Sequence, residues 1–174
     1  LTNNASDGEL LQEFVLDLRD LGLVFDIDAV LGKPFSAQTN AAGIDTGALT
    51  GIGTPALSSN NQVLTLPFTD FAPGETLLFV IDVDIAPLVP GGTPQDFSTF
   101  GRDLIGADVE FTFGPGNNSA AKSVVGTMVG DPDIFNASQF VRGGDGTTAQ
   151  DLQGINLVLR NSPLTNASVS ENTV

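Results

Sequence analysis

Three pairs of aspartates, each pair separated by one residue, are the side chains here with the clearest capacity for chemistry. The pairs are Asp26 with Asp28, Asp82 with Asp84, and Asp131 with Asp133. On a β-strand, residues i and i+2 project from the same face about 7 Å apart, so two carboxylates there repel unless water or a cation is shared between them. Calcium binds carboxylate, amide and carbonyl oxygens. The pairs therefore predict a calcium site.

A simpler interpretation of the same aspartates is that they are outward-facing and turn positions of an acidic protein. The EF-hand pattern is absent, and the run 143–147 matches only half of the Gly-Gly-x-Gly-x-Asp calcium repeat and occurs once. Within the calcium hypothesis, Asp82, Asp84, Asp131 and Asp133 are favoured over that glycine loop. Both interpretations stay open at this point.

The composition removes several kinds of catalysis. The 174 residues include no Cys, His, Trp or Tyr, which excludes thiol nucleophiles, Ser-His-Asp triads and the usual zinc sites. Paired carboxylates could act as a glycosidase acid and base. However, Glu is scarce, and Glu75 and Glu110 have no aromatic neighbours of the kind that shape a sugar subsite. We therefore expect no catalytic residues and a protein that is not an enzyme.

The charge also limits the partners. Twenty-one acidic residues face six basic ones, giving a net charge of −15. Such a surface repels nucleic acid and anionic membranes, and it attracts cations. No apolar run is long enough to cross a bilayer, so we expect neither nucleic-acid binding nor membrane insertion.

Two aromatic residues are candidates for ligand binding. Phe97 and Phe100 lie in the loop 95–101, where a phenyl ring could stack on a sugar. The alternative is that the two phenyl rings pack against the end of the β-sandwich and anchor the loop there. The absence of Trp and Tyr weighs against carbohydrate binding, which nevertheless remains the alternative function.

Several features predict an extracellular or cell-surface protein. The chain is acidic and free of Cys, and it opens at Leu1 rather than Met, as a processed segment would. Four sequons, at Asn4, Asn117, Asn136 and Asn166, would be glycosylated only in a host whose secretory route does so.

The elements that must position these residues are strands. Alternation of apolar and polar residues recurs between clusters of Gly, Pro, Asn and Asp, with little helical periodicity. The candidate strands are 13–18, 23–28, 62–68, 76–85, 106–113, 123–129, 134–141 and 155–160. They predict an all-β fold: a two-sheet antiparallel β-sandwich, immunoglobulin-like or jelly-roll, in one domain over 1–163 with an extended segment or linker at 164–174.

Details of the pattern give sharper expectations. Pro67 predicts that its strand is at a sheet edge or ends there. The strand 76–85 should begin buried on both faces and end with Asp82 and Asp84 in water. The stretch 32–61 is predicted to be a long connection with at most one short strand. Over 10–20, a faint helical spacing gives a helix as the alternative to a strand.

Sheet edges and terminal strands are the expected routes to protein partners or self-assembly. The tail 164–174 and the head 1–11 could each complete a neighbouring sheet by β-augmentation. The alternative for both is a frayed terminus or an interdomain linker.

The segments FAPGETLLFVIDVD (71–84) and GRDLIGADVEFTF (101–113) resemble a β-sandwich module of large bacterial secreted and surface proteins of the adhesin type. The opening 2–18 with GLVFD (22–26) is similar to the start of that module, and the end 166–174 resembles the start of a cadherin-like repeat. The resemblance covers residues 2–130. It implies an extracellular, non-catalytic module that works beside adhesive or carbohydrate-binding repeats.

Overall fold

The computed structural model describes residues 1–5, 7–27, 34–89, 92, 94, 101–118, 120–130, 137–142, 155–156 and 158–160. The structure is mostly β, as predicted, with one multi-stranded antiparallel sheet and three small ones. The strands are β1 (Thr2–Asn3), β2 (Leu11–Asp17), β3 (Leu23–Asp26), β4 (Ser36–Ala37), β5 (Ala56–Ser58), β6 (Val63–Phe71), β7 (Phe79–Val80), β8 (Asp82–Ile85), β9 (Asp108–Phe113), β10 (Lys122–Gly130), β11 (Ala137–Arg142), β12 (Ile155–Asn156) and β13 (Val158–Arg160). The helices are α1 (Thr46–Thr50) and two 3₁₀ turns, Arg19–Leu21 and Gly101–Leu104.

The seven-stranded sheet has the order β13-β11-β10-β9-β2-β6-β5. Its central strands alternate as the sequence predicts, so Phe14 and Leu16 of β2 are buried beside Phe111 and Val109 of β9. The rings of Phe14 and Phe111 lie 5.4 Å apart. One face of this sheet therefore belongs to the core and the other faces outward.

The segment 74–86 connects the three small sheets. Thr76 bridges to Thr2 of β1, β7 pairs with β4, and β8 pairs with β3. The strand predicted over 76–85 is thus interrupted at Ile81, between β7 and β8. The two parts, β7 and β8, pair with different strands. The periodicity of residues within one segment cannot show which strand it pairs with.

A single hydrophobic cluster joins the inward face of the large sheet to the small sheets. It includes Phe25 of β3 and Val83 of β8 together with Leu64 of β6 and Met128 of β10. Since burial of each large apolar side chain contributes roughly 1.5–3 kcal/mol, this shared cluster holds the sheets together.

Pro67 stands in the middle of β6, opposite Glu13 of β2, so the prediction that it ends its strand is wrong. On its other side, β5 pairs only with residues 63–65 of β6, and the Pro67 carbonyl accepts a hydrogen bond from the N–H of Gly53. In an antiparallel strand the N–H and C=O of one residue face the same neighbour, so the missing N–H of Pro67 lies beyond the end of β5, where no ladder hydrogen bond is lost.

The stretch predicted as a long connection, 32–61, contains two short strands and a helical turn. Asp45 caps the N-terminus of helix α1, and its Oδ1 accepts hydrogen bonds from the backbone N–H of Gly47 at 2.9 Å and of Ala48 at 3.4 Å. It ends at Gly51, where φ is 58°. A one-turn helix has too little periodicity to be read from sequence.

The head of the chain is paired inside the fold. Leu1 and Leu77 exchange backbone hydrogen bonds, and β1 also pairs with β12. Asn3 is fully buried, and its amide donates to the carbonyls of Glu9 and Phe71. The segment that could have been a free augmenting strand is thus used within this chain.

Among the described residues, the helices are all too short to cross a lipid bilayer.

Candidate functional site

The structure brings two of the predicted calcium ligands together. Asp26 of β3 and Asp82 of β8 stand directly opposite each other across an antiparallel pair. Asp28, Asp131 and Asp133 lie outside the described residues. Within the described part of the chain, no group of three or more potential metal ligands is present.

Asp84 is not in water, contrary to the expectation for the end of this strand. It is 3% exposed, and the adjacent Val83 is 8% exposed, so both faces of β8 are covered there. Asp84 pairs in register with Val24 of β3, which is also buried. The prediction failed because the alternation of polar residues gives the face of a side chain but not what packs against it.

The nominated aromatic residues, Phe97 and Phe100, lie outside the described residues. Phe35 and Phe79 are partly buried and pack against the hydrophobic core. Their rings are stacked, with centroids 5.3 Å apart and planes at 27°. They are distant in sequence and come together because β4 pairs with β7.

Two of the predicted sequons have described positions. Asn4 and Asn117 are both exposed, and the side chain of Asn117 lies next to Gly8. Asn136 and Asn166 lie outside the described residues.

The outward face of the large sheet carries a shallow depression of about 390 Å³. Strands β2, β9 and β10 line it. Two rows of side chains cross the three strands: Asp17, Asp108 and Thr127 in one row, and Val15, Glu110 and Val125 in the other. We refer to these six residues as the outward patch.

A guanidinium already neutralises one carboxylate of the outward patch. The Nε of Arg19 donates to both carboxylate oxygens of Asp17, at 3.0 and 2.9 Å. Hydrogen bonding to Arg19 lowers the pKa of Asp17, and the carboxylate of Asp17, aided by Asp20 and Asp108, raises the pKa of Arg19. Asp17 therefore stays ionised and paired.

The other two carboxylates of the patch differ from Asp17. In the described structure, neither Asp108 nor Glu110 makes a hydrogen bond or an ion pair through its side chain. Glu110 is flanked by Val15 and Val125 on the two neighbouring strands, and Val125 is 58% exposed. The patch thus combines unpaired negative charge with exposed apolar surface on a rigid sheet.

The buried polar groups near the head serve the fold. The Glu9 side chain is 3% exposed and pairs with the Lys122 ammonium at 2.8 Å. The Thr46 hydroxyl donates to the carbonyl of Gln38 at 2.6 Å and accepts from the N–H of Leu78 at 3.0 Å. These hydrogen bonds tie loops to strands, which is a structural role.

The edge of the large sheet at β5 is poorly suited to pairing with another chain. The strand has three residues. The segment before it contains Gly53 and Pro55 and runs beside β6, where the N–H of Gly53 donates to the carbonyl of Pro67. Short strands and proline protect a sheet edge from such pairing. The face of the sheet is therefore a better candidate surface than its β5 edge.

The sequence contained a signal for the outward patch that the analysis of aspartate pairs missed. Asp108 and Glu110 are also an acidic pair separated by one residue, on a strand predicted to alternate. Their neighbours on β2 and β10 depend on register, which alternation does not reveal.

Comparison of the chain with protein-family models, with curated proteins and with solved structures gives no match.

Proposed function

We propose that this chain is a non-catalytic structural or adhesive module of an extracellular assembly, acting by contact through the outward face of its large sheet. The observation that carries the proposal is the outward patch, an open surface on rigid strands. Enclosed clefts bury most of a small ligand, whereas this depression covers a ligand from one side. A broad surface of this kind suits a macromolecular partner.

The β-sandwich belongs to the same proposal. The inward face of the large sheet shares its core with β3 and β8, and the segment 74–86 links β1, β4 and β3. These small pairings would form the second layer, opposite the seven-stranded sheet. Residues 1–163 would then make up the sandwich, and 164–174, which lies outside the described residues, would be the linker.

Stabilisation by calcium is the second part of the proposal. Like charges placed directly opposite on neighbouring strands destabilise a sheet, and a shared cation offsets this. Asp26 and Asp82 have that arrangement. The site would also need oxygens from elsewhere, for which Asp28 is the nearest candidate in sequence.

The mass of the purified chain by light scattering, in calcium and then in chelator, distinguishes two forms of this function. Particles far larger than the 18.0 kDa chain support a structural subunit that contacts its own copies, and a monomer supports an adhesive module that contacts another protein. Assays of polysaccharide cleavage run in parallel. Turnover that is lost in Asp108→Asn or Glu110→Gln would contradict the proposal, because those carboxylates would then be catalytic.

Carbohydrate binding is the second candidate function, and the stacked pair of Phe35 and Phe79 favours it. Aromatic rings that are partly accessible are the surfaces on which sugar rings stack, and this partly buried pair is held together by the pairing of β4 with β7. A glycan array in calcium tests it. Binding that is weakened by Phe35→Ala but unchanged by Leu88→Ala, at an exposed position, would support a sugar site. An array without binding would exclude it.

A further inference from the structure

We propose that the outward patch binds an extended segment of a partner protein that carries Lys or Arg at positions i and i+2. This inference rests on the proposed function and specifies the chemistry of the partner. It follows from the spacing, the surroundings and the charge of Asp108 and Glu110.

The spacing of the two carboxylates matches that of an extended chain. Asp108 and Glu110 are residues i and i+2 of β9 and point outward from one face. Their Cα atoms are therefore about 7 Å apart, which is also the separation of side chains i and i+2 in any partner strand. A partner segment that lies along β9 can place one cation over each carboxylate.

The surroundings suit long basic side chains. Val15 and Val125 flank Glu110 on both sides, and Val125 is 58% exposed. Lys and Arg bury their aliphatic stems on apolar surface while their charged ends reach a carboxylate. The valines would contact the stems, and Glu110 would contact the charged end.

The charge of the patch is only partly compensated in the described structure. Arg19 pairs with Asp17 and interacts electrostatically with Asp108 without forming an ion pair, and Glu110 has no ion pair there. A partner with two cations would balance them. Calcium fits less well, because it requires about six to eight oxygens and the patch offers two free carboxylates and the Thr127 hydroxyl.

The test compares two peptides of identical composition, each with two Lys in a Thr-rich background. One has the lysines at i and i+2, and the other has them at i and i+3, where an extended chain points them to opposite faces. Binding to the full 174-residue chain is measured by fluorescence anisotropy at physiological salt. Equal peptide charge cancels the general attraction of an acidic protein. We expect the i, i+2 peptide to bind about fivefold more tightly, as one additional exposed ion pair allows.

Variants locate the effect. Asp108→Asn and Glu110→Gln should each remove the preference for the i, i+2 peptide. Glu13→Gln is the matched control. Glu13 lies on β2, on the same face of the sheet, opposite Thr112 of β9 and outside the depression. The Glu13→Gln variant should keep the preference for the i, i+2 peptide, although it removes one negative charge as the other two variants do.

Three results would overturn the inference. These are equal affinity for the two peptides, a preference that survives in Asp108→Asn with Glu110→Gln, and calcium binding without peptide that is lost in the same double variant. None of these results decides the proposed function. That function fails separately, if the chain turns over a polysaccharide.

Discussion

The ammonium group of Lys122, on β10, lies 2.8 Å from a carboxylate oxygen of Glu9 whose side chain is almost fully buried. The same ammonium lies 5.6 Å from the centre of the Phe113 ring. The pair joins the segment before β2 to the large sheet. Lys122 is half exposed, so its charge remains in contact with water while that of Glu9 does not.

Lys122→Met should lower the free energy of unfolding by about 1–3 kcal/mol. The substitution removes this cation from beside the buried Glu9 carboxylate, and removing one member of a buried ion pair costs more than the pair contributes. Urea unfolding gives the value, and Lys122→Arg is the control that retains the charge. A loss below about 0.5 kcal/mol for Lys122→Met would show that Glu9 does not depend on Lys122.

Asn3→Ala should lower the free energy of unfolding by about 2–4 kcal/mol. The Asn3 amide donates to two carbonyls, and its oxygen accepts from the N–H of Ala5 at 3.0 Å. The substitution removes all three of these hydrogen bonds from a buried position. Asn4→Ala, at the exposed neighbour, should change stability little. Thermal unfolding compares the two, and equal effects would contradict a special role for Asn3.

A purified chain whose first residue is Leu1 should become more stable as the pH rises from about 5 to 8. Burial lowers the pKa of the Leu1 α-amino group from 8.0 to about 5, so in this window the unfolded chain binds more protons than the folded one. This contribution to the free energy of unfolding is complete above pH 8 and is lost as the pH falls towards 5. Urea unfolding at a series of pH values measures the slope.

An N-acetylated chain is the control for that pH dependence. Its amide N–H can still donate to the carbonyl of Leu77, as the Leu1 amine does at 3.0 Å, but it cannot titrate. The slope between pH 5 and 8 should be flatter in the acetylated chain. Identical slopes would assign the effect to other groups.

Calcium should raise the melting temperature of the chain, and Asp82→Asn should abolish the increase. A hundredfold excess of calcium over its dissociation constant would add about 2.7 kcal/mol. Without calcium, Asp82→Asn should be neutral or slightly stabilising, because it removes a like charge opposite Asp26. Asp70→Asn, at an exposed position, should retain the response. A melting temperature that is the same in calcium and chelator would contradict a calcium site.

The alternation of apolar and polar residues along the sequence was sufficient to predict the strands of the core. The strands β2, β9 and β10 fall where apolar and polar residues alternate, and Phe14 and Phe111 are buried as that pattern requires. The break at Ile81 and the burial of Asp84 depend on neighbouring strands. These are long-range effects, which a single sequence does not show.

Prediction of the candidate sites depended on strand register even more strongly than prediction of the core strands did. The aspartate pairs could be found in the sequence, but the pairing of Asp26 with Asp82 required the register of β3 and β8. The outward patch likewise needs β2, β9 and β10 in line, so that Glu110 falls between two valines. A shift of one residue would turn these side chains to the opposite face.

The most direct test of the central claim is an amide NMR titration of the isotope-labelled chain with the basic i, i+2 peptide. If the outward face is the working surface, the largest shift changes should occur at Val15, Glu110 and Val125 and their neighbours in the patch. Changes centred on Phe35 and Phe79, or on β3 and β8, would contradict the claim and place the working surface there.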